Sequence, residues 1–251
     1  MSHQATTIKV GASTERHAKG VGGPFYKEMI EFVHKHPAIN NVYLERFSKG
    51  DFTKDEFLRF AVEFYQFSRN FPAILAKLLV NTPDEAEAAE LTKVLVSELG
   101  DMDPKQRHEL LYRDFLRSIG LDPAKIMFQE MEPSTKDYVD GMMQLYGSRD
   151  HLAALGASFG LENMAITMWD YLLPGIEKAR GKWFPNMDPT YFTFHRQLEE
   201  MHEDAMENAT VGYEGKPPLQ KNFKNGSNEV LNYLHGFWMG LEKKKNQPFH
   251  N

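Results

Sequence analysis

The apolar residues of this chain recur at helical spacing, and Gly, Pro and capping residues divide the pattern into helices. The longest aromatic stripe lies on a helix predicted from Thr53, a suitable N-cap with Glu56 as its capping-box partner, to about Asn81. Pro72 should kink this helix, because proline lacks a backbone donor and clashes with the preceding turn. The apolar residues of the stripe are predicted to pack in the core: Phe57, Phe60, Phe64, Phe67, Phe71, Leu75 and Leu78.

Helical spacing continues through the rest of the chain. Further helices are predicted at 24–36, 42–47, 84–99, 105–119, 133–146, 151–179 and 228–245. Pro174 should bend or end the helix that begins at residue 151, and the stretch 212–226, rich in Gly and Pro, is predicted as a loop. No run has strand periodicity and no linker divides the chain. The sequence therefore predicts one all-α domain of about seven or eight helices over residues 23–246, after a polar arm formed by residues 1–22.

The segment from Phe192 to Glu207 carries two His and one Glu that share one face of a helix. At about 100° per residue, His195 and Glu199 lie about 40° apart, and His195 and His202 lie about 20° apart. Imidazole and carboxylate ligands suit iron, manganese or zinc, and with open positions they suit Fe(II) that reacts with oxygen. A solvated polar face is the alternative interpretation, since this segment is rich in Glu.

Other acids and imidazoles lie where the sequence is apolar or the helix is interrupted. Glu162 is the one charged residue of the run from Ala157 to Trp169, and a buried acid there is costly unless it is neutralised. This isolation favours a functional role over a structural hydrogen bond. Glu63 lies within the aromatic stripe, where it is either paired, bound to metal or extended to solvent. Glu98 and His108 flank the helix interruption at 100–104.

The composition narrows the possible chemistry. The chain has no Cys, which excludes disulfides, zinc–thiolate sites, Cys-ligated clusters and thiol nucleophiles. Its net charge is −6, and no basic stripe occurs beyond Lys243–Lys245, which argues against nucleic acid as a partner. No apolar run approaches the roughly 20 residues needed to span a bilayer, and residues 1–23 lack the apolar core of a signal peptide. We therefore expect a cytoplasmic protein with no membrane association.

These residues resemble the haem-oxygenase-like di-iron oxidases and oxygenases, a family that includes the chlamydial death-domain-associating protein and alkene-forming fatty-acid decarboxylases. The resemblance covers residues 40–209 and rests on Phe47-Ser-Lys-Gly50-Asp-Phe-Thr53, Glu63-Phe-Tyr65 followed by Phe71-Pro72, Ser97-Glu98 leading to His108, Glu162, and His195-x3-Glu199-x2-His202. Position by position, it implies these iron ligands: Glu63, Glu98, His108, Glu162, His195, Glu199 and His202. The family often has Asp where this chain has Glu199, and Glu still supplies a carboxylate oxygen.

The resemblance also implies a reaction. Two Fe(II) ions per chain would reduce O2 to a bridging peroxo species, which would oxidise a small carboxylate-bearing molecule such as an amino acid or a fatty acid. Contacts to this substrate are expected from Tyr65, Phe159, Asn163 and Trp169.

The chain departs from two groups within that family. Relatives that make p-aminobenzoate use a lysine ten residues after the third carboxylate, where this chain has Leu172, and Tyr43 is one residue out of step with their sacrificed tyrosine. Thiaminase-type relatives use a catalytic Cys. Two other functions stay open: a metal-free helical binding or interaction protein, and a cofactor-independent oxidase of the type that completes pyrroloquinoline quinone synthesis. The oligomeric state also stays open, a homodimer included.

Overall fold

The computed structural model describes residues 23–198, residue 206 and residues 213–249, which are mainly helical. The helices have these bounds: α1 Pro24–Lys35, α2 Val42–Lys49, α3 Lys54–Ser68, α4 Phe71–Asn81, α5 Glu85–Glu98, α6 His108–Ser118, α7 Pro123–Ile126, α8 Pro133–Tyr146, α9 His151–Lys182 and α11 Pro217–Lys243. The helix α10 begins at residue 190 and is described as far as residue 198. These described ranges contain no strand, which confirms the predicted all-α fold. They contain more helices than predicted, because one predicted helix is split and the sequence pattern does not reveal the short α7. The predicted arm, residues 1–22, lies outside the described residues.

The long aromatic helix predicted to reach Asn81 is two helices, α3 and α4. As predicted, α3 begins after Thr53, whose hydroxyl accepts a hydrogen bond from the backbone N–H of Glu56 at 3.2 Å. Instead of completing the capping box with Thr53, the Glu56 carboxylate accepts hydrogen bonds from Arg46 and from the backbone N–H of Asn246. Pro72 lies in the first turn of α4, where the N–H that proline lacks has no helical partner. The predicted kink is therefore wrong, since Pro72 starts a new helix.

Two other boundaries differ from the prediction. The helix α9 continues through Pro174 to Lys182, so Pro174 does not end it. The helix α11 begins at Pro217, and residues 217–226, predicted as a loop, form its first turns. Prolines at the start of a helix have a favourable φ and lack only donors that the helix does not use. The Pro-rich part of the predicted loop is thus a helix N-terminus.

Glycines on α9 and α11 let these two helices pack closely. A Cβ on Gly226 of α11 would lie 1.8 Å from the carbonyl oxygen of Ala153, and one on Gly156 of α9 would lie 1.9 Å from the carbonyl oxygen of Phe223. Gly226 is therefore a contact position inside α11 and not a helix breaker. Gly156 and Gly226 thus allow α9 and α11 to approach at the level of their backbones.

The long helix α9 is the centre of the bundle. It packs along α11 and also contacts α2, α8 and α1. The aromatic stripe of α3 and α4 is buried as predicted, and the ring of Phe64 lies 5.9 Å from that of Trp169 on α9. The helix α9 therefore carries Glu162 and Trp169 into the core. Within the described ranges, no helix has the length and hydropathy needed to cross a membrane.

Candidate metal centre

Three buried residues, distant in sequence, converge in the bundle. Glu98 is the last residue of α5, His108 is the first residue of α6, and His195 lies on α10. Each side chain offers one potential ligand atom, and these atoms lie within 4.8 Å of one another. The three residues are only 3–6% exposed. A carboxylate and two imidazoles at this depth form a donor set that suits iron, manganese or zinc.

An irregular segment between α5 and α6 brings Glu98 and His108 together. Gly100, Asp101 and Met102 have φ angles of 95°, 47° and 71°, in the left-handed region. Gly100 also has no room for a side chain, since a Cβ there would lie 2.5 Å from the carbonyl oxygen of Asp103 and 2.7 Å from the nitrogen of Arg107. The backbone therefore reverses within a few residues, which places the start of α6 beside the end of α5. This break confirms the predicted interruption, although α6 begins at His108 and not at Lys105.

The orientation of His195 is fixed by the backbone. Its Nδ1 lies 2.8 Å from the carbonyl oxygen of Tyr191, one helical turn earlier. A carbonyl accepts only, so Nδ1 carries the proton and Nε2 of the neutral ring keeps a lone pair. Nε2 is the atom that faces Glu98, at 4.0 Å from its Oε1. Histidine ligands in metal sites are commonly held in this way, with the second nitrogen donating to a backbone carbonyl.

His108 supplies the observation that best fits a metal ion. Its Nδ1 lies 2.8 Å from Oε2 of Glu98, and its ring centroid lies 4.2 Å from that of His195. Despite this short distance, neither nitrogen of His108 has a hydrogen-bond partner of acceptable geometry in the described part of the chain. A buried imidazole without such partners is costly. Coordination of a metal ion would satisfy it.

Glu162 lies beside this group, in a small cavity. The cavity has a volume of about 50 Å³, enough for a few atoms, and Glu98, Glu162 and His195 supply its charged or titratable wall. Glu162 is 3% exposed, as its apolar surroundings in the sequence predict. Its charge adds to the effect of burial, which raises the pKa values of Tyr138 and Tyr146 on α8. The remaining wall is mostly apolar and consists of Phe64, Phe67, Ser68, Phe71, Leu161, Met164, Ala165, Met168, Trp169 and Tyr191.

The structure places Glu63 apart from the three converging residues. Its carboxylate accepts a hydrogen bond at 3.1 Å from the backbone N–H of Glu132, the N-cap residue of α8. A carboxylate is favourable at a helix N-terminus, where the backbone donors are unpaired. Burial nevertheless raises the pKa of Glu63, and this hydrogen bond opposes the rise. The ligand role implied for Glu63 therefore stays a prediction. The ligand roles of Glu199 and His202 also stay predictions, because both residues lie outside the described ranges.

Of the four residues expected to contact substrate, Trp169 lines the cavity, and its ring lies 5.2 Å from that of His195. The other three have different surroundings. The Tyr65 hydroxyl donates to Glu109, Phe159 packs against Tyr26 and Phe223, and the Asn163 side chain donates to the carbonyl oxygen of Phe159. Their helices are as predicted, but none of these three side chains lines the cavity.

Sequence reasoning missed Tyr191, which both lines the cavity and orients His195 through its carbonyl. Its position four residues before His195 is the signal that could have identified it, since a side chain on a helix reaches the carbonyl one turn earlier. Met164 and Met168 were also missed. They resemble ordinary core residues, and the sequence contains no signal that sets them apart.

Known proteins share sequence and fold with this chain. The model of a family described as iron-containing redox enzymes matches residues 58–234. The chain is 25% identical over 227 residues to the 4-chloro-allylglycine synthase of Streptantibioticus cattleyicolor, which covers 89% of this chain and 86% of that protein. It is 24% identical over 200 residues to the 4-aminobenzoate synthase of Chlamydia trachomatis, which covers 79% of this chain and 84% of that protein.

Solved structures show the same fold at low sequence identity. A CADD-like protein from Nostoc punctiforme has a TM-score of 0.74 at 14% identity, covering 88% of this chain and 96% of that one. A TenA homolog from Pseudomonas syringae has a TM-score of 0.73 at 11% identity, covering 96% and 100%. Because the family model matches well over half of the 251 residues, this chain belongs to the family of iron-containing redox enzymes with a haem-oxygenase-like fold.

Proposed function

We propose that the protein is an O2-dependent oxidase or oxygenase that holds two Fe(II) ions and acts on a small carboxylate-bearing molecule, an amino acid or a fatty acid. The observation that carries this proposal is the convergence of buried Glu98, His108 and His195, with the nitrogens of His108 outside hydrogen-bond geometry. Glu162 beside them, and Glu199 and His202 further along the chain, would complete the ligand set. Bound iron supplies the reduction of O2, which no protein side chain performs.

The described side chains have distinct tasks in this proposal. His195 presents Nε2 because Tyr191 holds its Nδ1 proton. The rings of Trp169 and Phe194 lie 5.2 Å from His195 and 5.6 Å from His108, respectively, and shield the two imidazoles from water. Exclusion of water strengthens the electrostatic interactions at the centre and protects a reactive centre from side reactions.

The substrate class is supported by the cavity and by one relative. Phe64, Phe71 and Met168 give the cavity an apolar wall beside its acids, which suits a short apolar group carried by a polar head. Because the cavity holds only a few atoms, a longer chain requires this wall to move apart. The product named for the synthase from Streptantibioticus cattleyicolor, 4-chloro-allylglycine, is an amino acid with such a chain. An amino acid with an apolar side chain is therefore the first substrate to test.

Iron analysis after anaerobic loading tests the proposal. We expect about two Fe(II) per wild-type chain and O2 consumption that candidate amino or fatty acids accelerate. His195→Gln should lose both, whereas His235→Gln, at a half-buried position where the ring bonds to the carbonyl of Pro37, should retain both. A wild-type chain without specific iron uptake would contradict the proposal and favour a metal-free binding protein or a cofactor-independent oxidase.

A further inference from the structure

Three tyrosines form a continuous line of ring contacts that begins at the candidate metal centre. The Tyr191 ring lies 4.1 Å from that of His195, the Tyr112 ring lies 4.5 Å from Tyr191, and the Tyr65 ring lies 5.4 Å from Tyr112. All three side chains are at most 3% exposed. Rings at these separations are in or near van der Waals contact, close enough for an electron to pass between them.

The line ends at a carboxylate on the surface. The Tyr65 hydroxyl donates a hydrogen bond at 2.7 Å to Oε1 of Glu109, whose side chain is 35% exposed. The Tyr112 hydroxyl instead donates to the backbone carbonyl of Ala61 at 2.9 Å. A carbonyl does not take up a proton, whereas a carboxylate does. An oxidised Tyr112 therefore has nowhere to release its proton, but an oxidised Tyr65 does.

Packing alone does not account for tyrosine at these positions. The other rings that surround Tyr112 belong to Phe64, Phe115 and Phe192, which fill the core without a polar atom. Burying a hydroxyl in such a core gains nothing over phenylalanine and requires a hydrogen-bond partner. The phenols are also the only groups in this line that lose an electron readily.

We propose that Tyr191, Tyr112 and Tyr65 conduct single electrons from the surface to the iron centre when O2 has oxidised it in the absence of substrate. This inference rests on the proposed function, because it requires an oxidising iron centre. Tyr65 loses one electron, which crosses the rings of Tyr112 and Tyr191 to the centre, and the centre gains that electron. Tyr112 is not left oxidised, because its hydroxyl has no acceptor for the proton. The O–H bond of Tyr65 breaks, and its proton moves to Glu109 along the existing hydrogen bond.

A one-electron reductant in solution, such as ascorbate, then completes the sequence. It returns an electron to the Tyr65 radical, and the proton returns from Glu109 to the phenol oxygen. The net result is that the reductant loses one electron and the centre gains one, with no change in the protein. The route thus protects Trp169 and Tyr191, the oxidisable rings beside His195, from lasting oxidation.

Electron paramagnetic resonance and peptide mass spectrometry test the route. The full chain loaded with Fe(II) is mixed with O2 without substrate or reductant, then frozen rapidly or digested. We expect a tyrosyl radical in the wild type, lost severalfold in Tyr65→Phe, together with a severalfold rise in oxidised Trp169 and Tyr191 in that variant. Tyr43→Phe is the control, since Tyr43 is also buried but its ring contacts Phe47 and Trp238 and none of the three tyrosines. It should behave as the wild type.

If iron uptake and O2 consumption are normal, an equal radical yield and equal oxidation in Tyr65→Phe and the wild type would overturn the inference. Absence of iron uptake or of O2 consumption in the wild type would instead overturn the proposed function, and this inference with it. Both quantities are measured on the same samples, so the two failures are distinguishable. Phenylalanine keeps the ring of Tyr65, so the variant is expected to fold.

Discussion

At the scale of single residues, Glu162 is a carboxylate placed where an acid contributes little to stability. It is 3% exposed on α9 and lines the small cavity beside Glu98 and His195. We expect Glu162→Ala to abolish O2-dependent chemistry and to change the free energy of unfolding little, because removing a buried acid also removes its desolvation cost. O2 consumption and urea unfolding measure the two effects, with the exposed Glu229→Ala as control. Loss of the fold with intact iron binding would make Glu162 structural.

A substitution at Glu63 tests whether this residue is a metal ligand, as the resemblance implies. Its carboxylate bonds to the N-terminus of α8, and burial raises its pKa. A raised carboxyl pKa makes the folded state less favourable as pH rises through the window above the ordinary value of 4.5. Glu63→Gln keeps an acceptor for the Glu132 N–H and removes the charge. We therefore expect unchanged iron content and an unfolding free energy at pH 7 that is unchanged or higher. Iron analysis of this variant beside Glu98→Gln tests whether Glu63 is a ligand, and lost iron would support the ligand role that the resemblance implies.

His36 makes the stability depend on pH. Its Nδ1 accepts a hydrogen bond at 3.1 Å from the backbone N–H of Ala38, which requires an unprotonated nitrogen. Burial, and then the charge of His235, lower its pKa below the ordinary 6.5. The unfolded chain therefore binds a proton that the folded chain does not, and stability should fall as pH drops below 6.5 until the lowered pKa is passed. Urea unfolding at several pH values should show a shallower fall in His36→Gln, and parallel curves would refute this.

Prediction from sequence succeeds at residues whose local surroundings are unusual. Glu162 stands alone in an apolar run, so local pattern is enough to single it out. Glu98 and His108 only flank a helix break, and it is the family resemblance that implies their role as ligands. Glu63 and Tyr65 are harder, because a helical face shows only that a side chain is buried. Whether the neighbour is a metal centre or the end of another helix depends on packing between distant segments.

At the scale of secondary structure elements, proline and glycine account for most of the differences between prediction and structure. Pro72 and Pro217 begin helices, and α9 runs through Pro174. Local sequence shows that a proline disfavours the preceding turn, but not whether that turn belongs to the same helix. Gly226 is similar, because its close contact with Ala153 belongs to the pairing of α9 with α11.

The contact between α9 and α11 gives a direct stability prediction. In Gly226→Ala, the new methyl group would collide with the backbone of Ala153, so we expect destabilisation by about 1–3 kcal/mol or more. Gly236→Ala is the matched control in the same helix, since a Cβ there meets no atom within 4 Å. Alanine should stabilise α11 at that position by about 0.5–1 kcal/mol. Thermal and urea unfolding measure both changes, and equal effects of the two substitutions would show that the contact does not limit packing.

At the scale of the whole molecule, the candidate centre connects helices that the sequence does not pair. Glu98, His108, Glu162 and His195 come from α5, α6, α9 and α10, and only the completed bundle brings them together. Helical periodicity identifies each helix but not its partners. The kinds of side chain that converge here are therefore predictable from the sequence, whereas the cavity and its apolar wall are not.

A metal ion that binds these residues should order the segment between α5 and α6. Residues 99–107 are irregular and include two non-glycine residues with left-handed backbone, Asp101 and Met102, which is unfavourable without compensating contacts. The acids at 98, 101 and 103 also repel one another. Metal that binds only the ordered form stabilises it by about 2.7 kcal/mol at a free concentration of 100 times Kd.

We therefore expect Fe(II) to slow amide hydrogen exchange in residues 98–108 under anaerobic conditions and to raise the melting temperature of the whole domain. The helix α8, which contains none of the proposed ligands, is the internal control, and its exchange should change much less. His195→Gln should remove the effect of Fe(II) on both segments and on the melting temperature. Strong protection of residues 98–108 that is equal with and without Fe(II) would show that the ligands are already held in place by the protein alone. In that case, the unfavourable backbone at Asp101 and Met102 would have to be stabilised by the packing of α5 and α6 rather than by metal.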